Sequence, residues 1–284
     1  MILDGRIVAA DIKQRLAKEI GEALVEGKRA PQLVIISVGD DPASKVYVRN
    51  KMKAAEEVGI EVNHIPFTEY ADTPFIINVI DDFNKDTGVD GIMVQLPLPS
   101  YLDERAIIDA IDPAKDVDGL TTTNIGRLRS GQEPYHKPCT AKGIIDLCKY
   151  YDIELDGKDV TIVGRSNIVG KPLADLMMAE GATVTQFHSR TQQLSYHTKM
   201  ADIVVCAVGK PKMLTGRDVW DADAIIDVGI NRDENGKLCG DVNFDDIIEQ
   251  HGKEVNITPV PGGVGPMTVA ELMKNTVIAW RENS

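Results

Sequence analysis

The chain has 284 residues, 43% hydrophobic and 26% charged, which is the balance of a soluble protein with room for two modest domains. Its formal net charge of −13, without any block of basic residues, argues against nucleic acid or an anionic membrane as the main partner. No apolar run is long enough to cross a membrane, and the residues after Met1 lack a signal-peptide pattern, so a cytoplasmic location is expected. The cysteines have no metal-ligand spacing, and we expect reduced thiols and no metal site.

Apolar patterns predict that strands and helices alternate along most of the chain, which is typical of parallel sheets with helices on their faces. Ile12, Leu16 and Ile20 recur every four residues and predict a helix after a first short strand. Residues 120–137 are rich in threonine, glycine and polar side chains, and we expect a connecting loop there. The predicted strands are 2–8, 33–38, 60–67, 89–95, 159–164, 183–187, 202–208 and 224–228; further predicted helices are 73–83, 103–111, 138–150 and 267–280, with one ending at 180.

The stretch that follows the strand at 33–38 is predicted to be a helix with both ends marked. Pro42 suits a helix start, and the oxygens of Asp41 and Ser44 can accept hydrogen bonds from the first turn. Gly59 suits the position just after the last turn. This helix therefore begins at the carboxyl end of a strand, where open α/β sheets place their ligands.

Tyr47 and Lys51 are four residues apart on this helix and lie on one face. An aromatic ring beneath an amine can hold a flat, conjugated substrate against an acid/base group. Neighbouring cations can lower the pKa of Lys51 and leave free amine near neutrality. The alternative is that the pair belongs to an ordinary solvated basic face.

Two other segments of the first half carry polar groups. Gln95 ends a strand of the same sheet, so its amide can point toward the Lys51 helix, although a purely structural glutamine is the alternative. Asp116 and Asp118 have the composition of a turn. A carboxylate there can also pair with the amino and ring N–H groups of a heterocycle.

A glycine-containing turn joins the strand at 159–164 to the next helix. Gly164 and Gly170 stand where a Rossmann phosphate turn belongs, with Arg165 and Ser166 between them. The spacing departs from Gly-x-Gly-x-x-Gly because Ser166 replaces the middle glycine. Such turns also occur without a nucleotide, so this pattern alone leaves cofactor binding open.

The end of the next strand bears on the choice of cofactor. NAD-selective proteins usually offer a carboxylate to the ribose there, whereas a cation accommodates the 2′-phosphate of NADP. Ser189 and Arg190 stand at this place without any carboxylate, and Arg165 follows the preceding strand. The segment therefore indicates NADP.

The segment from Val260 to Thr268 contains three glycines and two prolines just before the last predicted helix. A rigid loop with so few side chains lets a ligand approach the backbone, and a tight interdomain turn is the alternative. Thr268 is expected to cap the terminal helix, which we expect to pack on the first domain.

Several of these segments together resemble the bifunctional methylenetetrahydrofolate dehydrogenase/methenyltetrahydrofolate cyclohydrolase family. They occur in family order and span nearly the whole chain. The matching segments are Val38–Ser44, Tyr47–Ala54, Val94–Pro99, Lys115–Gly119, Pro138–Thr140, Val163–Ser166, Asp227–Asn231 and Pro261–Pro266.

The resemblance implies a homodimer of two-domain α/β chains with a cleft between the domains. An N-terminal catalytic domain, 1–137 joined by the C-terminal helix 267–284, would bind folate, and a Rossmann-type domain, 138–266, would bind NADP. It implies NADP-dependent oxidation of 5,10-methylenetetrahydrofolate, followed by hydrolysis to 10-formyltetrahydrofolate. Tetrahydrofolate derivatives are the implied ligands, with no nucleic acid and no membrane.

Roles carried over by motif divide the site into three groups. Lys51 would be the catalytic lysine, Tyr47 would stack on the aminobenzoate ring, Gln95 would hold Lys51, and Asp118 would bind the pterin. Besides these four, the implied substrate contacts are Ser44, Leu96, Pro97, Pro261, Gly262 and Gly263. The implied cofactor contacts are Gly164, Arg165, Ser166, Ser189, Arg190, Ile230, Gly263 and Thr268.

The sequence departs from the family pattern at two places. Leu120–Thr123 stands where many members have Phe-His, which leaves one wall of the folate pocket undefined. Ala141 stands where proline is usual. Two alternative enzymes remain at this point: a single-activity dehydrogenase of the same fold, and a shikimate-type NADP dehydrogenase. A binding module that senses nucleotide is the non-enzyme alternative.

Overall fold

The computed structural model describes residues 1–220, 222–252 and 255–283. The chain forms two compact units. The first unit contains Ala10–Cys139 and the residues from Val269 onwards, and the second unit contains Met1–Ala9 and Thr140–Thr268.

The first unit is built on a three-stranded parallel sheet. Its central strand is apolar over most of its length and buried on both faces, as parallel strands covered by helices must be. The strand order is β2-β1-β3, and residues of the sheet pack against two helices in one apolar core. The elements are α1 Gly5–Val25, β1 Gln32–Val38, α2 Pro42–Val58, β2 Glu61–Phe67, α3 Thr73–Lys85, β3 Gly91–Val94, α4 Glu104–Asp109 and α5 Thr122–Arg129.

The second unit is built on a five-stranded parallel sheet in the order β10-β7-β6-β4-β5. The chain moves from β4 to β5 on one side and then back to β6 on the other, so the order reverses between β4 and β6. The elements are α6 Cys139–Tyr150, β4 Asp159–Val163, α7 Gly170–Ala179, β5 Thr183–Phe187, α8 Leu194–Lys199, β6 Ile203–Cys206, β7 Ala224–Asp227, β8 Asn231–Arg232, β9 Leu238–Cys239, α9 Phe244–His251, β10 Asn256–Ile257 and α10 Val264–Glu282, with a 3-10 turn at Gly216–Asp218.

The predicted strand at 2–8 is wrong, because only Ile2 pairs with a strand and α1 starts at Gly5. The four-residue spacing of α1 extends back to Val8, whose side chain is buried. Leu3 N–H donates to the Ile257 carbonyl at 2.9 Å, and Ile257 N–H donates to the Met1 carbonyl at 3.0 Å. These bonds attach the first residues to β10, so residues 1–9 belong to the second unit.

The predicted loop at 120–137 contains a helix, α5. Thr121 caps it by accepting a hydrogen bond from Asn124 N–H at 3.3 Å. Asn124 and Leu128 form its buried face. Because one residue of the buried face is an asparagine, the apolar periodicity of the sequence does not reveal this helix.

The last helix starts earlier than predicted, at Val264 rather than 267. Thr268 therefore lies inside α10 and does not cap it. Its hydroxyl donates to the Val264 carbonyl at 3.4 Å and to the Thr140 hydroxyl at 3.1 Å. The part of α10 from Val269 onwards belongs to the first unit, with residues 10–139.

No helix of the described residues is long and apolar enough to span a membrane. Among the same residues, no His, Cys, Asp and Glu side chains are grouped as a metal site would require.

Candidate active site and nucleotide site

Lys51 is buried on α2, whose ends follow the sequence signals. The Asp41 carboxylate accepts a hydrogen bond from Ser44 N–H at 2.7 Å, Pro42 opens the helix, and Gly59 ends it in the left-handed conformation at φ 88°. Ser44 contributes its backbone N–H to this cap rather than its hydroxyl. The Lys51 side chain is only 9% exposed, so it does not belong to a solvated basic face.

Gln95 is the hydrogen-bond partner of Lys51. The Lys51 amine donates to Gln95 Oε1 at 3.0 Å, and Gln95 Nε2 donates to the Leu96 carbonyl at 2.6 Å. The backbone N–H of Gln95 donates to the Ile36 carbonyl at 2.7 Å, which continues the pairing of β3 with β1. Because its backbone and both side-chain polar atoms are held, the Gln95 amide presents a fixed acceptor to Lys51.

Burial lowers the pKa of Lys51 below its ordinary value, since charge is costly away from water. Asp118 and Cys139 act in the opposite direction. The prediction that neighbouring cations lower the pKa of Lys51 is wrong, because desolvation produces the lowering. The amine therefore has a neutral hydrogen-bond acceptor and a carboxylate in its surroundings, which suits a group that both takes up and releases a proton.

The two aspartates after β3 have different surroundings. Asp116 is 1% exposed, and its carboxylate accepts hydrogen bonds from Gly119 N–H at 3.0 Å, from Thr121 N–H at 2.7 Å and from Asn124 Nδ2 at 2.9 Å. Burial raises the pKa of Asp116 to about 6. Asp118 is half-buried and acts electrostatically on Lys51. Asp116 therefore holds the turn, and Asp118 is the carboxylate available to the site.

A pocket with a volume of about 700 Å³ lies against α2, and Tyr47, Lys51 and Asp118 are not among its lining residues. Ser44, Arg49 and Met52 of α2 line it, together with Gln95. Tyr47 is half-buried, and burial raises the pKa of its hydroxyl. Leu96 is half-buried and Pro97 is exposed, directly after Gln95.

The second unit contains the turn between β4 and α7. Gly164 has φ 138°, and a Cβ there would lie 2.3 Å from the Ala207 carbonyl oxygen. A Cβ at Gly170 would lie 2.4 Å from the Gly164 carbonyl oxygen. Both positions require glycine, because the backbone of the turn packs directly against its neighbours.

The start of α7 is suited to an anion. Ser166 Oγ accepts hydrogen bonds from Val169 N–H at 3.1 Å and Gly170 N–H at 3.3 Å, and Val169 itself provides no side-chain cap. The side chain of Arg165 is exposed at this turn, and no ion pair is found for it within the described residues. A helix N-terminus and an available guanidinium fit the phosphates of a dinucleotide.

The segment after β5 adds a second available guanidinium. Ser189 and Arg190 are exposed, and Arg190 N–H donates to His188 Nδ1 at 3.1 Å. The backbone here is folded on itself, since His188 N–H donates to the Thr191 hydroxyl at 3.1 Å. A phosphate attached to a ribose at the end of β5 has cationic and hydroxyl partners here.

The remaining predicted contacts also lie in the second unit. Ile230 follows β7 and is 47% exposed. Pro261 is exposed, and Gly262 adopts φ 112° close to the Arg6 guanidinium. A Cβ at Gly263 would lie 2.7 Å from the Pro259 carbonyl oxygen. The structure thus groups Ser44, Tyr47, Lys51, Gln95, Leu96, Pro97 and Asp118 in the first unit, and Gly164, Arg165, Ser166, Ser189, Arg190, Ile230, Pro261, Gly262, Gly263 and Thr268 in the second.

Comparisons with known proteins decide the family. The catalytic-domain model of the tetrahydrofolate dehydrogenase/cyclohydrolase family matches residues 3–118, and its NAD(P)-binding-domain model matches residues 138–284. The chain belongs to the tetrahydrofolate dehydrogenase/cyclohydrolase family. Membership in this family makes the chain an enzyme with an NAD(P)-binding domain and removes the shikimate-type alternative and the binding-module alternative.

Three relatives illustrate the similarity. The bifunctional protein FolD of Bacillus subtilis is 47% identical over 276 residues, which are 97% of this chain and 96% of the relative. The crystal structure of bifunctional FolD from Campylobacter jejuni has a TM-score of 0.96 at 41% identity and covers 100% of this chain and 99% of that one. The Trypanosoma brucei FolD structure, complexed with NADP cofactor and inhibitor, has a TM-score of 0.91 at 36% identity and covers 99% and 97%.

Cys139 lies in the surroundings of Lys51 and acts on the pKa of its amine. Its thiol is buried and donates to the Val117 carbonyl at 3.2 Å, and burial raises its pKa well above the ordinary value. The reactivity of Cys139 is therefore low, because the thiolate is disfavoured. Spacing offers no signal for this contact, since Cys139 is 22 residues from Val117.

Proposed function

We propose that one set of side chains around Lys51 serves two consecutive reactions of a folate substrate. The first is NADP-dependent oxidation of 5,10-methylenetetrahydrofolate to the 5,10-methenyl cation, and the second is hydrolysis of that cation to 10-formyltetrahydrofolate. The observation that carries this proposal is the buried hydrogen bond between the Lys51 amine and Gln95 Oε1, with Asp118 close by.

In the first reaction the protein mainly positions its ligands. NADP, when bound, accepts the hydride that leaves the methylene carbon, and the substrate nitrogens supply the electrons that stabilise the remaining cation. Tyr47 would stack under the aminobenzoate ring, and Asp118 would accept hydrogen bonds from the pterin amino and ring N–H groups. Holding the ring at a fixed depth in this way supplies the proximity that hydride transfer needs.

In the second reaction Lys51 would manage the protons. Water adds to the methenyl carbon and loses a proton to the Lys51 amine, directly or through a second water. The resulting ammonium returns that proton to the ring nitrogen. The bond from this nitrogen to the former methenyl carbon then breaks as the added hydroxyl loses its proton to solvent and becomes the formyl oxygen, and the product leaves. The lowered pKa of Lys51 supports this role, because a fraction of neutral amine is needed at the start.

The nucleotide contacts would come from the second unit. The turn from Gly164 to Gly170 would hold the pyrophosphate at the N-terminus of α7. Arg165, Ser189 and Arg190 would hold the 2′-phosphate that distinguishes NADP from NAD. Two exposed guanidiniums near a segment without a carboxylate support this choice.

We also infer that the chain acts as a cytoplasmic homodimer. β2 pairs only with β1 among the described strands and is half-exposed along its length, so its outer edge offers unpaired backbone groups. Light scattering on the purified protein tests the dimer, and a monomeric mass at micromolar concentration would contradict it.

The proposal is tested with purified protein, 5,10-methylenetetrahydrofolate and NADP, following reduced cofactor and methenyl absorbance together. We expect cofactor reduction with little accumulation of the methenyl compound. Stoichiometric accumulation would leave the chain a single-activity dehydrogenase, which is the second candidate. No reduction of cofactor would overturn the proposal altogether.

A further inference from the structure

Asp241 is a fully buried carboxylate in the second unit that accepts four hydrogen bonds. Its oxygens accept from the backbone N–H groups of Val208 at 2.6 Å, Gly209 at 3.0 Å and Lys210 at 2.8 Å. The fourth donor is Asn231 Nδ2, at 2.8 Å. One side chain therefore joins the loop after β6 to the segment after β7.

A second buried carboxylate holds Asp241 itself in place. Asp227, at the end of β7, accepts from the N–H groups of Gly229, Asp241 and Val242, each at 2.9 Å. A Cβ at Gly229 would lie 2.3 Å from Asp241 Oδ1, so the β7 loop passes directly over the carboxylate. Burial chiefly, and the nearby Asp241 to a smaller extent, raise the pKa of Asp227 to about 6. Two carboxylates are rarely buried this close together unless many donors compensate them.

The position of these loops relative to the strand order indicates what they serve. The strands of the sheet are parallel, but their order along the sheet reverses between β4 and β6. Dinucleotides bind across such a point, at the carboxyl ends of the strands. The phosphate turn follows β4, and the ribose-binding segment follows β5 on one side. The loops after β6 and β7 lie on the other side, where the nicotinamide half of the dinucleotide must be placed. Ile230 stands between Gly229 and Asn231, and it is the exposed residue of this segment.

We propose that Asp241 is the positioning residue of the nicotinamide half of the site. Its carboxylate joins residues 208–210 to Asn231. This fixes the position of the neighbouring Ile230 side chain, which would contact the nicotinamide ring. Asp241 acts through these loops and does not itself touch the cofactor. This inference rests on the proposed function for its cofactor and goes beyond it in assigning the residue.

The test is Asp241→Asn, which keeps the size of the side chain but places an amide against backbone donors. Isothermal titration measures the affinity for NADP and for adenosine 2′,5′-bisphosphate, which has the adenine half and the 2′-phosphate without nicotinamide. Loss of charged hydrogen bonds predicts NADP binding weaker by about tenfold or more. Binding of the bisphosphate should stay within about twofold, because Arg165 and Arg190 are untouched.

Asn231→Ala removes one of the four donors and leaves the carboxylate, so it keeps the test decisive if Asp241→Asn does not fold. We expect the same selective loss, smaller in size. The matched control is Asp246→Asn, since Asp246 also accepts a backbone hydrogen bond, from Gly216 N–H at 2.7 Å, but contacts neither loop. It should leave the affinities for both ligands unchanged.

Hydrolysis of 5,10-methenyltetrahydrofolate without cofactor provides a further readout, and both loop variants should retain it. Equal weakening of NADP and the bisphosphate, or no weakening of either, would overturn the assignment of Asp241. Because the titrations need no folate, they remain decisive even if the proposed folate chemistry fails in the wild-type protein.

Discussion

The Lys51 site and the nucleotide site use different parts of the chain. The first relies on side chains withdrawn from water, since Lys51 is 9% and Gln95 7% exposed. The second, as proposed, relies on a glycine-containing turn at the start of α7 and on exposed arginines. Proton transfer requires a side chain whose pKa its surroundings can shift, whereas holding a phosphate requires donors that are open to the ligand. The variants below test this contrast, from the largest expected effect to the smallest.

Lys51→Met should cause the largest effect. Cyclohydrolase turnover should fall by about 10²–10⁴-fold, because general acid–base catalysis is lost. The melting temperature should hold or rise, since a thioether replaces a buried amine that is costly to charge. Turnover is measured with 5,10-methenyltetrahydrofolate as the substrate, and the melting temperature is measured by thermal unfolding. Lys53→Met, on the exposed face of the same helix, is the control. Equal losses in the two variants would contradict a special role for the buried lysine.

Arg190→Ala should have a smaller and more selective effect, on the nucleotide site alone. Removing a charge-assisted hydrogen bond should weaken NADP binding by about 10–100-fold, with NAD binding little changed. Titration with both cofactors measures this selectivity, and Arg217→Ala, an exposed arginine of the same unit, is the control. Loss of NAD binding in parallel would show that Arg190 does not read the 2′-phosphate.

Gln95→Glu should change the pH dependence of the Lys51 site. Burial lowers the pKa of Lys51, and a carboxylate in hydrogen-bond reach would raise it again. The neutral amine would then appear only at higher pH, so the acid limb of the cyclohydrolase pH profile should move upward. Gln132→Glu, on an exposed position of the same unit, should leave the profile in place. An unmoved acid limb in Gln95→Glu would exclude Lys51 as the titrating group.

Asp116→Asn should have the smallest effect, on stability rather than on turnover. The pKa of Asp116 is raised to about 6 in the folded chain, so the folded state binds a proton between pH 3.8 and 6 that the unfolded state does not. Its contribution to stability is therefore full at low pH and is lost as pH rises through 6. The gap in melting temperature between wild type and variant should be wider at pH 5 than at pH 7, by about 2–4 °C. An equal gap at both pH values would contradict the raised pKa.

Local signals in the sequence predicted much of the fold and the surroundings of Lys51. Alternating apolar strands and helix ends such as Asp41 and Gly59 are encoded within a few residues of where they act. The bond between Lys51 and Gln95 spans 44 residues, yet it follows from the rule that parallel strands end at one edge of the sheet.

What the sequence could not predict depends on distant or polar packing. The strand predicted at 2–8 is wrong because α1 starts within it, at Gly5, and only the residues before α1 attach to β10, more than 250 residues later. The helix α5 was missed since its buried face contains Asn124. The sequence does not reveal the role of Asp241, because its four hydrogen-bond donors come from loops that only the folded sheet brings together.

The contrast between the two sites is tested most directly by one assay, hydrolysis of 5,10-methenyltetrahydrofolate in the absence of NADP, with Lys51→Met and Asp241→Asn side by side. If hydrolysis depends on the buried lysine and the second unit serves only to bind NADP, Lys51→Met loses hydrolysis while Asp241→Asn keeps the wild-type rate. Retained hydrolysis in Lys51→Met, or equal loss in both variants, would contradict the division of labour between the two sites.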